Sequence, residues 1–181
     1  MALSPLQLKE IYDVHKQRVY STALHYTSNV EDAEEITQDV FVKVFQQYHQ
    51  FQHQAALSTW IYRITINQSL DFLKKKKTKK HFFSFGTKTD HEFLYLNTPN
   101  CEHPGFKLEQ KEEAKLLMNA IDMLTEQQKT AFILAKLDGL SHTEISDIMQ
   151  ISIPAVESLV FRAKSKLQSI LEKKYSHLRK K

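Results

Sequence analysis

Two stretches of this chain combine residue types that handle nucleic acid. The first is Ser58-Thr59-Trp60-Ile61-Tyr62-Arg63-Ile64, with Asn67 one helical turn beyond Arg63. A lysine run, Lys74, Lys75, Lys76, Lys77, Lys79 and Lys80, continues along the same segment. Aromatic faces stack on unpaired bases, and lysines attract phosphates. A base held outside the stack needs a pocket, and the loop at residues 51–57 is placed to form one. The second stretch follows Pro154, where helical spacing puts Ala155, Glu157, Ser158, Phe161, Arg162 and Ser165 on one outward face. Glu accepts from the cytosine amino group, Arg forks onto guanine, and an apolar ring meets a thymine methyl. Lys164, Lys166, Lys173 and Lys174 flank that face and suit phosphates, which position a duplex without specifying it.

A third set has the opposite character. Glu35, Gln38 and Asp39 form an acidic stripe at helical spacing, extended by Val42. It would repel DNA but suits a basic protein partner, with Val42 as an apolar centre; an ordinary solvated helix face is the alternative. The nine histidines do not assemble a metal site. His49 and His53 are four apart with the latter in a loop, His142 stands without a paired ligand, and Cys101-x-His103 lacks the four ligands of structural zinc. No Gly-rich phosphate loop, H-E-x-x-H or G-x-S-x-G occurs, so no catalytic residue, metal or cofactor is expected and an enzyme is disfavoured.

The elements that must carry these residues are helices. In 181 residues there are only 3 Gly and 4 Pro, against 41% apolar residues. Residues 5–27 read as one helix, with Leu8, Ile11, Tyr12, Val19, Tyr20, Ala23 and Leu24 on its apolar side. Asn29 can cap a second, with Asp32 in capping-box position, from about Val30 to Tyr48. Its apolar face is Ala33, Ile36, Thr37, Val40, Phe41, Val44, Phe45 and Tyr48. Ser58 is placed to cap a helix from Thr59 to about Lys77. Residues 81–105, with Gly86, Pro99, Pro104 and Gly105, read as a linker. Phe106–Leu124 is the next helix. Thr125 with Gln128 opens another that Gly139 ends in a left-handed cap. Ser141-x-x-Glu144 opens a short helix, Thr143–Met149, and after a turn at Gln150-Ile151 Ser152 caps a last one to about Lys174, with Pro154 in its first turn. Inner positions Ile145, Ile148, Ile151, Val156, Leu159 and Val160 give residues 140–167 the layout of a helix-turn-helix.

Charge follows the same division. Residues 1–81 carry 11 basic and 8 acidic groups, a net +3; residues 82–105 carry 1 and 3, a net −2; residues 106–181 carry 13 and 10, a net +3. Two basic units flank an acidic connector. A single cysteine excludes an internal disulfide, and no apolar run is long enough to cross a bilayer or to resemble a signal peptide, so a cytoplasmic location is expected.

Taken in order, these segments resemble the extracytoplasmic-function (ECF) group of bacterial RNA polymerase sigma factors. Asp32-Ala33-Glu34-Glu35-Ile36-Thr37-Gln38-Asp39-Val40-Phe41 is similar to that family's polymerase-binding helix. Trp60 through Asn67, with Asp71-Phe72-Leu73-Lys74, is similar to its −10 segment. Leu124 through Lys129, Leu140 through Ile145 and Pro154 through Lys164 are similar to its −35-reading domain. The resemblance implies an all-α chain of two small helical domains joined by a flexible linker: residues 1–80, a linker at 81–105, and residues 106–181 with the helix-turn-helix. It implies that Glu35, Gln38, Asp39 and Val42 dock on polymerase core. It further implies that Arg63, Asn67, Lys74, Lys75 and the 51–57 loop hold the −10 strand, and that Glu157, Ser158, Phe161, Arg162 and Lys164 read the −35 element. Asp90, Glu92 and Glu102 would lie in the linker's path through the polymerase. Promoter DNA, polymerase core and an anti-sigma protein are the implied partners. Glu157 departs from the pattern, since many relatives are basic there, which leaves the −35 preference open. A stand-alone helix-turn-helix transcriptional regulator is the alternative; it accounts for residues 125–174 but not for the amino-terminal half.

Overall fold

The computed structural model describes residues 3–52, 55–82 and 104–178; the side chains of residues 79–82, 104–112 and 174–178 are outside the described set. Among the described residues there are seven α-helices and no strand. The first unit holds α1 (Pro5–Thr27), α2 (Val30–Gln47), one 3-10 turn (Tyr48–Gln50) and α3 (Leu57–Phe82). The second holds α4 (Pro104–Ile121), α5 (Glu126–Phe132), a π-helical turn (Ile133–Leu137), α6 (His142–Met149) and α7 (Ile153–Leu178).

Local chemistry sets most of the ends. Ser4 accepts from the Gln7 amide and the Gln7 side chain returns to the Ser4 amide, a reciprocal cap for α1. Ser28, left-handed at φ 52°, ends that helix, and Asn29 caps α2 by accepting from the Asp32 amide at 2.8 Å. The expected capping box is only half made there. Asp32 turns its carboxylate to Lys76 of α3, and the Asn29 amide bonds to Thr27 Oγ1 instead. An ammonium in reach is the stronger partner for a carboxylate.

Several boundaries differ from the sequence expectation. Helix α3 starts at Leu57, so Ser58 lies in its first turn rather than at its cap, and the loop is one residue shorter. It continues to Phe82, because lysine propagates a helix well and no Gly or Pro intervenes. Helix α4 starts two residues early, at Pro104, where a first-turn proline is tolerated, and ends at Ile121. The last helix reaches Leu178. Most of the expected linker, with Asp90, Glu92, Cys101, Glu102 and His103, lies outside the described residues.

The first unit closes on Val19, Ala23, Ile36, Val40, Val44, Ile61 and Ile64, all buried. Helix α2 supplies the inner face that its periodicity predicts, with one exception. Phe45 is 49% exposed, because helical spacing turns it away from the Val40–Val44 line toward the side of exposed Val42. The second unit closes on Met118, Ile121, Leu124, Phe132, Ala163 and Leu167. A further apolar cluster joins the two units. Tyr26, Tyr62 and Ile66 of the first pack with Ala131, Ile133, Leu134, Ile145 and Ile148 of the second. At about 25 cal/mol per Å² of apolar area removed from water, a seam of this kind stabilises the joined arrangement substantially.

The π turn is part of that seam. It follows α5 directly and leads to Asp138 and to Gly139, whose φ of 71° lets the chain reverse. The Asp138 amide reaches the Ile133 carbonyl at 2.9 Å, a span one residue longer than an α-helical bond.

Candidate nucleic-acid interface

Helix α3 sets out the first group of candidates. Trp60 stacks against Phe51, with ring centroids 5.3 Å apart, and meets Tyr48 edge-on at 6.4 Å. These rings gather where α2 hands over to α3, and Trp60 also packs on the first unit's core. The cluster therefore packs as a fixed aromatic corner of the first unit. His53 and Gln54 of the loop lie outside the described residues.

Two residues on, Tyr62 is turned inward and only 6% exposed. Burial pushes its hydroxyl pKa up, and the Asp138 carboxylate adds to the shift. Tyr62 is therefore a seam residue here and not an open stacking platform; its sequence neighbours gave the opposite impression. Arg63 is half-buried, donating from Nη2 to the Asp147 carbonyl of α6 at 2.5 Å, while its Nε is buried without a hydrogen-bond partner. Asn67 is exposed and lines an open cleft of about 340 Å³ with Lys43, Gln47, Asp71, Lys74 and Glu126. Lys74 and Lys75 are exposed. Lys74 pairs across the units with Glu126 at 3.4 Å.

The second group is held by the helix-turn-helix. Ser141 caps α6 and Glu144 returns the bond, at 2.8 Å to the Ser141 amide and 2.7 Å to its hydroxyl. That hydroxyl first, and the amide second, hold the Glu144 carboxyl below its ordinary pKa. Gln150, left-handed at φ 56°, makes the turn, and Ser146 Oγ closes it on the Ile151 carbonyl at 2.5 Å. Ile145, Ile148, Val156 and Val160 are buried, whereas Ile151 and Leu159 are half-buried. Helix α7 therefore turns Glu157, Phe161, Arg162 and Lys164 outward, with Ser158 half-buried beside them. Phe161 is 71% exposed, a large apolar ring presented to solvent. Glu157 stands 3.6 Å from His142 Nδ1 of α6, a neighbour that sequence spacing did not reveal. Lys166 is exposed; the Lys174 side chain is outside the described set.

On α2, Glu35, Gln38, Asp39 and Val42 all face solvent, and Val42 is 53% exposed. Phe45 continues this face one turn further, which enlarges its apolar part. The position three residues after Val42 was the available signal. Among the described residues no group of three or more His, Cys, Asp or Glu could hold a metal ion, and no helix is long and apolar enough to cross a membrane.

Comparison with known proteins agrees with this division into two units. Residues 11–79 match the family model for sigma-70 region 2, and residues 114–167 match that for sigma-70 region 4. An ECF RNA polymerase sigma factor of Bacillus subtilis, SigW, is 26% identical over 163 residues, spanning 90% of this chain and 87% of that protein. The sigma-H factor of Pseudomonas aeruginosa is 25% identical over 160 residues, spanning 87% and 82%. In fold, the chain is similar to the sigma factor RpoE of Bartonella quintana, solved in complex with the anti-sigma factor NepR (TM-score 0.64, 21% identity, 91% of this chain and 96% of that one). It is equally similar to CnrH, solved with the cytosolic domain of CnrY (TM-score 0.64, 18% identity, 93% and 90%).

Proposed function

Because the chain belongs to the ECF group of the sigma-70 family, we propose that it binds bacterial RNA polymerase core and directs promoter-specific transcription initiation. The observation that carries this reading is the order of the two family regions on two separately cored helical units. The family is one of non-enzymatic initiation factors, and its members act on the polymerase of the cytoplasm.

Residues 1–80 would form the unit that binds core and the −10 element, residues 81–105 a linker, and residues 106–181 the unit that reads the −35 element. Glu35, Gln38, Asp39 and Val42 dock on core: an exposed acidic face with an apolar centre suits a basic partner. Asn67, Arg63, Lys74 and Lys75 hold the −10 strand. Glu157, Ser158, Phe161 and Arg162 read −35 base edges, and Lys164 meets phosphate. Binding energy gathered by both units offsets the unstacking of the −10 bases, which costs a few kcal/mol per base. An anti-sigma protein is a further partner, since the Bartonella quintana structure of similar fold was solved with an anti-sigma factor.

The test is reconstitution. Core polymerase plus this chain should start transcripts at a defined set of promoters that core alone does not use, read by sequencing the 5′ ends. A chain that binds a duplex operator tightly by itself, yet adds nothing to start-site choice, would instead fit the stand-alone regulator.

A further inference from the structure

We infer that His142 is a positioning residue for −35 reading: it braces the Glu157 carboxylate, and the braced carboxylate selects cytosine at one position of the element. The inference rests on the promoter reading above and names how one base of that same site is chosen.

Glu157 is an unusual occupant of a DNA-facing helix. Between residues 153 and 167 it is the one acid, beside Arg162, Lys164 and Lys166. A carboxylate carried toward phosphates is repelled by them. An exposed glutamate also loses rotamer freedom when it settles on a base edge. Both costs fall if an N–H donor from elsewhere in the fold holds the side chain before DNA arrives.

His142 is placed to be that donor. It is the first residue of α6, and its Nδ1 stands 3.6 Å from Glu157 Oε1 on α7. This is ion-pair range, and a small side-chain rotation closes it to a hydrogen bond. The two side chains are 42% and 59% exposed, so the pairing leaves the carboxylate open to a ligand. Glu144, two residues on, is held by Ser141 and does not compete for the imidazole.

The spacing of the pair is set by the scaffold around it. The reciprocal Ser141–Glu144 cap fixes the start of α6. Ser146 Oγ closes the turn on the Ile151 carbonyl, and Ile145, Ile148 and Val156 fill the crossing of the two helices. A side chain braced between two fixed elements is aimed more narrowly than one held by its own helix alone. In a helix-turn-helix the early residues of the second helix meet base edges, and Glu157 lies in the second turn of α7. A carboxylate only accepts. Cytosine offers it an amino donor in the major groove, whereas guanine and thymine offer acceptors, and adenine sets an N7 acceptor beside its amino group.

The experiment uses the full-length chain with core polymerase and a pool of promoters randomised across the −35 element. Templates that initiate are sequenced, and counts are normalised to total initiation so that only base choice is read. Wild type should favour cytosine at one position by about fivefold. Glu157→Ala should lose that preference, His142→Ala should lose it at the same position, and the double variant should lose no more than either alone. His142→Asn, whose side-chain nitrogen overlies Nδ1, should restore it. Both residues are solvent-accessible, and thermal melting checks that each variant is folded. A wild type without the cytosine preference would overturn the inference, as would a His142→Ala variant that keeps it or a His142→Asn variant no better than alanine. Even weakening across all bases in His142→Ala, additive with Glu157→Ala, would also overturn it, since that is the pattern of an independent phosphate contact. Total failure of the wild type to direct initiation is a different result, which removes the promoter reading itself.

Discussion

Lys129 extends from α5 to donate its ammonium to the main-chain carbonyl of Tyr26, 3.0 Å away in the last turn of α1. Carbonyls at a helix C-terminus lack intrahelical donors and carry partial negative charge, so a cation is the favoured occupant. Asp122 completes the arrangement at 2.6 Å, and Lys129 itself is only 7% exposed. Lys129→Met should lower stability by about 1–3 kcal/mol, since it leaves the Tyr26 carbonyl buried without a donor. Urea denaturation followed by circular dichroism measures this; an unchanged midpoint would mean that water replaces the ammonium.

The cap of α6 gives a pH-dependent prediction. Ser141→Ala should cost about 1 kcal/mol at neutral pH. The Glu144 carboxyl is held below its ordinary value of 4.5 in the folded chain, by the Ser141 hydroxyl first. Its contribution is therefore complete above pH 4.5 and fades as the pH falls through the lower, folded value. The gap between wild type and Ser141→Ala should narrow over that acidic window. A gap that widens on acidification would reverse the assignment.

On the exposed face of α2, Asp39→Lys should weaken core binding on the order of tenfold. The side chain points into solvent, so thermal unfolding should shift by no more than a surface substitution does, about 0.5 kcal/mol. Core affinity measured by fluorescence anisotropy checks this, and normal affinity would remove the stripe from the interface.

For the helix-turn-helix, Arg162→Ala should weaken −35 recognition by about 1–3 kcal/mol and relax the preference at one position. Lys164→Ala should weaken binding evenly across sequences and reduce its salt dependence. Competition among promoter variants in transcription by the reconstituted polymerase separates the two, and an intact preference in Arg162→Ala would show that the guanidinium reads no base.

Much of this architecture was legible because the deciding interactions are local. The Ser141–Glu144 and Thr125–Gln128 caps, the Gly139 reversal and the inner face of α2 each depend on residues within about one or two turns. Phe161 also faces outward, as helical spacing from Val156 and Val160 required. What spacing could not show depends on contacts between distant residues. Asp138 meets Thr22 and His25 more than a hundred positions away, and Arg63 finds Asp147 on another unit. Tyr62 and Ile66 sit among nucleic-acid-handling neighbours in sequence but are buried once the second unit packs on α3. Ser58 was misplaced by a smaller effect: Leu57 joins the helix because its side chain packs on the first unit's core.

The π turn at Ile133–Leu137 has a consequence for sequence change. A π turn is one residue wider than the α-helical turn it replaces. Deleting any single residue within it would let α5 run on as ordinary helix and rotate all that follows by about 100°. Asp138 would keep its chemistry but lose its aim at Thr22 and His25. Side-chain substitutions in this stretch are therefore a milder lesion than a one-codon deletion, and the length of those five residues matters as much as their identity.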